Sequence, residues 1–177
     1  MVERSGRDDG PGAPPVLALR GGGSEALSQH APPEVLARMI RHLEGAWPQE
    51  GCGVILRSGA GEGDSWRVIP LPNASPTPHV AYAFAPEAWL QVCLDADARQ
   101  EAVACVFHSH VDAPAVFSAE DRRQAAPSGI PLLPQVSYVV VAIRGGRAAS
   151  ASRSVWSAGD FQTVPLALAD FRFEKPV

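Results

Sequence analysis

Several large classes of protein are made improbable by what this 177-residue sequence has little of. Its cysteines number three, Cys52, Cys93 and Cys105. That odd count, with no CxxC pair, argues against a disulfide framework and leaves reduced thiols in apolar segments as the simplest reading. A cysteine nucleophile is conceivable on composition alone, but Cys52 and Cys105 sit in stretches that read as packed strands. No segment approaches the roughly 20 apolar residues needed to cross a bilayer, so no membrane association is expected. The first twelve residues carry Glu3, Arg4, Arg7, Asp8 and Asp9 and lack the apolar run of a signal peptide, which makes the cytoplasm the expected location. No basic excess exists either: the net charge is −4, and the 15 Lys and Arg residues are scattered, so nucleic acid is not an expected partner. No internal repeat is visible.

What is present is apolar content of 46%, enough for one compact domain with a core. Residues 1–31 are rich in Gly, Pro and charge and predict a flexible N-terminal arm, although Val16-Leu17-Ala18-Leu19 could add an edge strand. Residues 32–168 form the expected domain, and 169–177 a C-terminal tail. Val35, Leu36, Met39, Ile40 and Leu43 recur on one helical face, with Pro33 suited to a first turn. Cys52 to Arg57 and Trp66 to Leu71 read as a hairpin around a Gly-rich turn. Four prolines between Pro72 and Pro86 make that stretch a surface loop, and Pro86 opens a second helix with Ala88, Trp89, Val92, Cys93 and Ala96 on one side. Ala102 to Phe107 is a short apolar run, as in a central strand covered on both faces. A short helix from about Ala119 to Ala126 and a Pro-rich link over 127–134 come next. Strands at Val136 to Ile143, Ala148 to Trp156 and about Phe161 to Leu168 complete the pattern. The fold class is α+β, with mixed α/β/α layering and a mostly antiparallel sheet.

The chemistry concentrates in His108-Ser109-His110 and, seven residues later, Ser118-Ala119-Glu120-Asp121. Side chains at i and i+2 of an extended backbone share a face, so His108 and His110 can present two imidazoles to one point. With the carboxylate of Asp121 they make the donor set of a catalytic zinc site, which keeps a fourth tetrahedral position for water. Ser118 and Asp121 also suit a helix start, as N-cap and N3 of a capping box, and the two readings are compatible. His30, His42 and His79 have no ligand spacing to the pair and read as surface residues. Asp112, in the loop before Pro114, is a candidate substrate contact.

This segment resembles the JAMM motif of the JAB/MPN metalloproteases, E…H-S/T-H-x7-S-x2-D. The resemblance spans roughly Pro32 to Leu168, and Glu50, in Pro48-Gln-Glu-Gly-Cys-Gly-Val-Ile-Leu56, matches the family's glutamate before its first core strand. It implies a cytidine-deaminase-like central sheet flanked by helices, with His108, His110 and Asp121 holding Zn2+. It further implies that Glu50 moves a proton from the zinc-activated water to the leaving amine, and that Ser118 stabilises the tetrahedral oxyanion. From the residues alone, Glu50 reads equally well as a solvated loop carboxylate.

The compact length is similar to that of the bacterial and archaeal JAB enzymes. The implied activity is hydrolysis of the bond after the C-terminal Gly-Gly tail of a ubiquitin-like or sulfur-carrier protein with a β-grasp fold. An extended glycine tail fits a narrow groove beside a sheet edge, and the loops Pro72 to Pro86 and Pro127 to Gln135 are candidate walls. Two rival classes stand beside this: a non-catalytic MPN scaffold, and an unrelated metal-binding or thiol-based domain. A deubiquitinase-like deconjugating enzyme is the variant within the same class.

Overall fold

A computed structural model describes residues 31–59 and 65–168. The expected arm, apart from Ala31, and the expected C-terminal tail lie outside these residues, as do His30 and the centre of the first hairpin turn. In chain order the elements are α1 (Pro33–Ala46), β1 (Cys52–Ser58), β2 (Ser65–Leu71), α2 (Pro86–Ala98) and β3 (Glu101–Val111). They are followed by α3 (Ala119–Ala125), β4 (Ser137–Arg144), β5 (Arg147–Ser157) and β6 (Asp160–Leu166). The six strands form one sheet in the order β2-β1-β3-β4-β5-β6.

All the pairings are antiparallel except β3 with β4, which is parallel. A parallel pair cannot be closed by a tight turn, so the chain must travel back between the two strands. Residues 112–136 make that return and carry α3. The same pairing corrects the expected extent of β3. The apolar run ends at Phe107, but the ladder to β4 continues through His108↔Val140, His110↔Ala142 and Val111↔Ile143. The histidines therefore lie inside the strand rather than in a loop after it. β6 is shorter than expected because its ladder to β5 ends at Leu166↔Ala151, while Leu168 still packs on the core.

Two apolar layers cover the sheet. On one face α1 packs Val35, Leu36, Met39 and Leu43 onto Ile55, Cys105, Phe107, Val139, Val141 and Ile143, with Ala31 and Trp66 at the margin. On the other face Val92 and Ala96 of α2, together with Phe117 and Ala125, cover Val54, Leu56, Val106, Tyr138, Val140 and Phe161. Strand alternation assigns Phe107 to the α1 face and Val106, His108 and His110 to the face shared by α2 and α3. All three cysteines are buried, in agreement with their reading as core thiols.

Candidate metal centre

Glu50 precedes β1 by one residue, Gly51, and its place is set by the glycines after it. Gly51 donates its N–H to Ser109 Oγ (2.8 Å) and accepts from Ser109 N (2.9 Å), so the start of β1 is clasped to the middle residue of His108-Ser109-His110. A Cβ on Gly51 would lie 2.9 Å from the Ala46 Cβ, and one on Gly53 would lie 2.4 Å from Ile69 O and 2.5 Å from the Phe107 ring. Those approaches explain why this strand opens as Gly-Cys-Gly. On its other side Glu50 donates its N–H to Pro78 O (2.7 Å) and accepts at its carbonyl from Asn73 Nδ2 (2.9 Å). The Pro-rich loop thus holds the glutamate's backbone.

Asp121 is placed by α3, whose first turn is closed by a complete capping box. Asp121 N donates to Ser118 Oγ (3.1 Å), and Ser118 N donates to Asp121 Oδ2 (2.7 Å). This carboxylate meets both histidines: His108 Nε2 is 3.2 Å from Oδ1, and His110 Nε2 is 3.5 Å from Oδ2. The two Nε2 atoms lie 3.1 Å apart. One ligand atom from each of the three residues falls within 4.8 Å of the others, a group that could hold a metal ion.

Protonation fits that use. His110 Nδ1 is 2.9 Å from the Pro114 carbonyl, which can only accept, so the proton of the neutral ring sits on Nδ1 and Nε2 presents a lone pair. Burial alone would raise the Asp121 carboxyl, but the imidazoles of His108 and His110 beside it, which donate to it when protonated, together with the Ser118 N–H, hold it well below the usual carboxylate range. Burial keeps His108 below its ordinary pKa, so it stays neutral, the form that binds metal. Burial also opposes charging of His110, yet Asp121 and the Pro114 carbonyl overcome it and raise its pKa. Three nitrogen and oxygen donors in a buried cluster suit a divalent ion that accepts mixed N/O ligands.

Glu50 is not a solvated loop carboxylate. Only 5% of its surface is exposed. Burial pushes its carboxyl up to about 7, with the His110 charge lowering it and Asp121 raising it. The thiols move out of reach instead: burial pushes Cys52 up to about 12 and raises Cys93 and Cys105 as well. A buried thiol that holds its proton at neutral pH is a poor nucleophile, which removes the support for thiol chemistry.

The remaining histidines divide. His79 is exposed, donating from Nδ1 to Pro48 O (2.8 Å), as expected of a surface residue. His42 departs from that expectation: it is half-buried, with Nε2 3.1 Å from the Cys52 carbonyl and its ring edge-on to Phe107. The turn of α1 that carries it lies over β1, where a donor for that carbonyl is needed. Asp112 is exposed and takes a positive φ of 51° as the chain leaves β3. Four residues around the site carry no role from the sequence alone: Asn73 and Tyr82, and Ser109 and Pro114, which enter there only as neighbours of His108 and Asp112. Tyr82 stacks on His108 with ring centroids 4.3 Å apart and planes 22° from parallel. Its position among four prolines and the rarity of tyrosine, two in the chain, were the available hints.

Comparison with known proteins bears on the fold and the family. A curated protein of Thermus thermophilus, described as a probable TtuB-protein conjugate cleaving protease, is 32% identical over 127 residues, which is 72% of this chain and 78% of that protein. A solution structure of a Desulfitobacterium hafniense protein superposes with a TM-score of 0.57 at 24% identity, covering 74% of this chain and 86% of the other, and shows the shared fold. Another solution structure, from Salinibacter ruber, gives a TM-score of 0.49 at 26% identity over 72% of this chain and 83% of the other. Residues 32–158, which run from α1 through β5 and enclose Glu50, His108, His110, Ser118 and Asp121, match the prokaryotic homologues of the JAB domain, and the chain belongs to that family.

Proposed function

We propose that this chain is a JAMM-type zinc peptidase or isopeptidase that hydrolyses the bond after the C-terminal Gly-Gly tail of a ubiquitin-like or sulfur-carrier β-grasp protein. The observation that carries the reading is the pairing of two environments. His108, His110 and Asp121 bring their ligand atoms within 4.8 Å of one another, and beside them a buried Glu50 carboxyl has been pushed up to about 7, close to neutral operating pH. A group that must both accept and return a proton works best with its pKa near that pH.

In this reading His108 and His110 give their Nε2 atoms, and Asp121 a carboxylate oxygen, to zinc. Bound there, zinc supplies Lewis-acid chemistry, polarising a water and the scissile carbonyl. Glu50 takes the proton of the attacking water and delivers it to the departing amine. Ser118 Oγ accepts from Asp121 N and keeps its own O–H to donate to the developing oxyanion. The loop over 72–86 forms one wall of the approach. The Thermus relative's description, a protease that cleaves a protein conjugate, supports a substrate joined through a protein tail.

A non-catalytic scaffold of the same family is the alternative, and a buried glutamate held near pH 7 next to a ligand set is a costly feature for it to retain. The deciding experiment compares wild type with Glu50→Gln on a β-grasp protein extended beyond its Gly-Gly tail, with product mass read directly. Zinc content should stay unchanged and turnover should fall by about 10²- to 10⁴-fold. Cleavage within a few-fold of wild type by a zinc-loaded variant would refute the mechanism, and no cleavage by either protein would favour the scaffold.

A further inference from the structure

The two histidines of the candidate metal centre are held in different ways. His110 is oriented as metal-binding histidines usually are, by an Nδ1–H bonded to a carbonyl, here that of Pro114 at 2.9 Å. His108 has no such partner. Its Nδ1 is buried, and no described group hydrogen-bonds to it. Its neighbour on the ring face is Tyr82, stacked at 4.3 Å.

Tyr82 is itself fixed with unusual completeness for a loop residue. The Asn73 amide donates from Nδ2 to Ala81 O (3.0 Å) and accepts at Oδ1 from Ala83 N (3.1 Å), gripping the backbone on both sides of Tyr82. Ala74 N donates to Ala83 O (2.8 Å), and Tyr82 meets Phe84 edge-on, which in turn stacks on Trp89 of α2. The same Nδ2 reaches Glu50 O at 2.9 Å, and Oδ1 also accepts from Ser75 N at 2.9 Å. One half-buried side chain therefore locks both the loop that presents Tyr82 and the backbone of Glu50.

We infer that Tyr82 is a positioning residue for His108, its stacked ring taking the role that a hydrogen bond to Nδ1 would otherwise play, and that Asn73 holds Tyr82 in register for it. A ring clamped on one face by a flat partner loses its freedom to rotate about χ2, so Nε2 stays directed at Asp121 and His110. The role belongs to the ring and not to the phenol oxygen. The inference rests on the zinc-site reading of His108, and the experiment separates the two.

Zinc affinity of the full chain is measured by competition with a chromophoric chelator for wild type, Tyr82→Phe, Tyr82→Leu, Asn73→Asp and His108→Ala, with circular dichroism reporting folding. Tyr82→Phe should bind within about threefold of wild type, and Tyr82→Leu should bind about 10- to 100-fold more weakly, the usual cost of losing a group that orients a ligand. Asn73→Asp keeps the ring but turns carboxylate oxygens toward the carbonyls of Glu50 and Ala81, and should weaken zinc by about tenfold on the same grounds. A merely structural Tyr82 would lower thermal stability and leave the affinity of the folded protein unchanged. If Tyr82→Leu does not fold, Asn73→Asp decides, and wild-type affinity in it overturns the inference. Equal losses in the Phe and Leu variants overturn it as well. Should His108→Ala bind zinc as wild type does, the metal-site reading itself fails; if that control loses zinc while Tyr82→Leu retains it, only the positioning role is lost.

Discussion

Glu50 should make the metal-free protein less stable as pH rises, and Glu50→Gln should abolish the effect. With only 5% of its surface exposed, the folded chain holds the Glu50 proton up to about pH 7, whereas the unfolded chain releases it near the ordinary 4.5. The folded state therefore binds more protons between these values. Its contribution to stability is complete below about 4.5 and is lost as pH rises through about 7. Between roughly pH 5 and pH 8 the loss is on the order of 2–3 kcal/mol, allowing for the part of the unfolded chain already ionised at the lower value. The other shifted groups act in both proteins. Asp121, held low, contributes stability that falls only in acid, and the two histidines largely cancel in the comparison, apart from the part of the His110 shift that Glu50 itself causes. The assay is urea unfolding of both proteins with a strong chelator present. The gap between Glu50→Gln and wild type should widen in favour of the variant by roughly 2–3 kcal/mol over that range, and zinc should narrow it because a nearby cation favours the carboxylate. Parallel pH profiles in the absence of metal would show that Glu50 is not desolvated as described and would remove the ground for its proposed role as a base tuned near neutrality.

Three further outcomes are expected. Zinc content near one per chain should be lost in His108→Ala, His110→Ala and Asp121→Ala alike, and full retention by all three in metal analysis would end the assignment. Ser109→Ala leaves the buried Gly51 N–H without its 2.8 Å acceptor and should cost about 1–3 kcal/mol in denaturant unfolding, with lowered activity because Glu50 adjoins the freed residue; an unchanged midpoint would show that the clasp is idle. Cys52, Cys93 and Cys105, buried with raised pKa, should resist alkylation by iodoacetamide in the native protein at mildly alkaline pH and react on unfolding, as followed by mass spectrometry.

The parts of the site that were legible in the sequence are those governed by local geometry. Two histidines at i and i+2 share a face in any extended chain, and Ser118 with Asp121 forms a capping box from four consecutive residues. Helix α1, α2 and the hairpin strands followed equally from short-range periodicity. Glu50 was ambiguous because its burial depends on the distant loop over 72–86, and only the motif resemblance favoured it. The end of β3 was misjudged because an apolar run marks where a strand is covered, whereas its length is set by the partner that continues to pair, here β4 up to Val111↔Ile143.

Ser109, Asn73 and Tyr82 escaped for a common reason, and it bears on how the site is built. Each acts on a residue far along the chain: Ser109 on Gly51 through the antiparallel register of β1 with β3, Asn73 on Glu50 across a loop, Tyr82 on His108 from that same loop. None changes a periodicity or a composition that a sequence window can register. Their contacts nevertheless converge. The register that pairs Cys52 with His108 also sets Gly51 against Ser109, and so brings Glu50 to the end of β3 where the histidines emerge. The loop that closes over Glu50 then has its own anchor on that glutamate's carbonyl, and through Tyr82 it reaches the first histidine. A disturbance in the loop would therefore reach a proposed ligand and the proposed base together. Loop substitutions such as Asn73→Asp should accordingly impair zinc affinity and proton transfer in parallel, whereas Glu50→Gln should impair proton transfer alone.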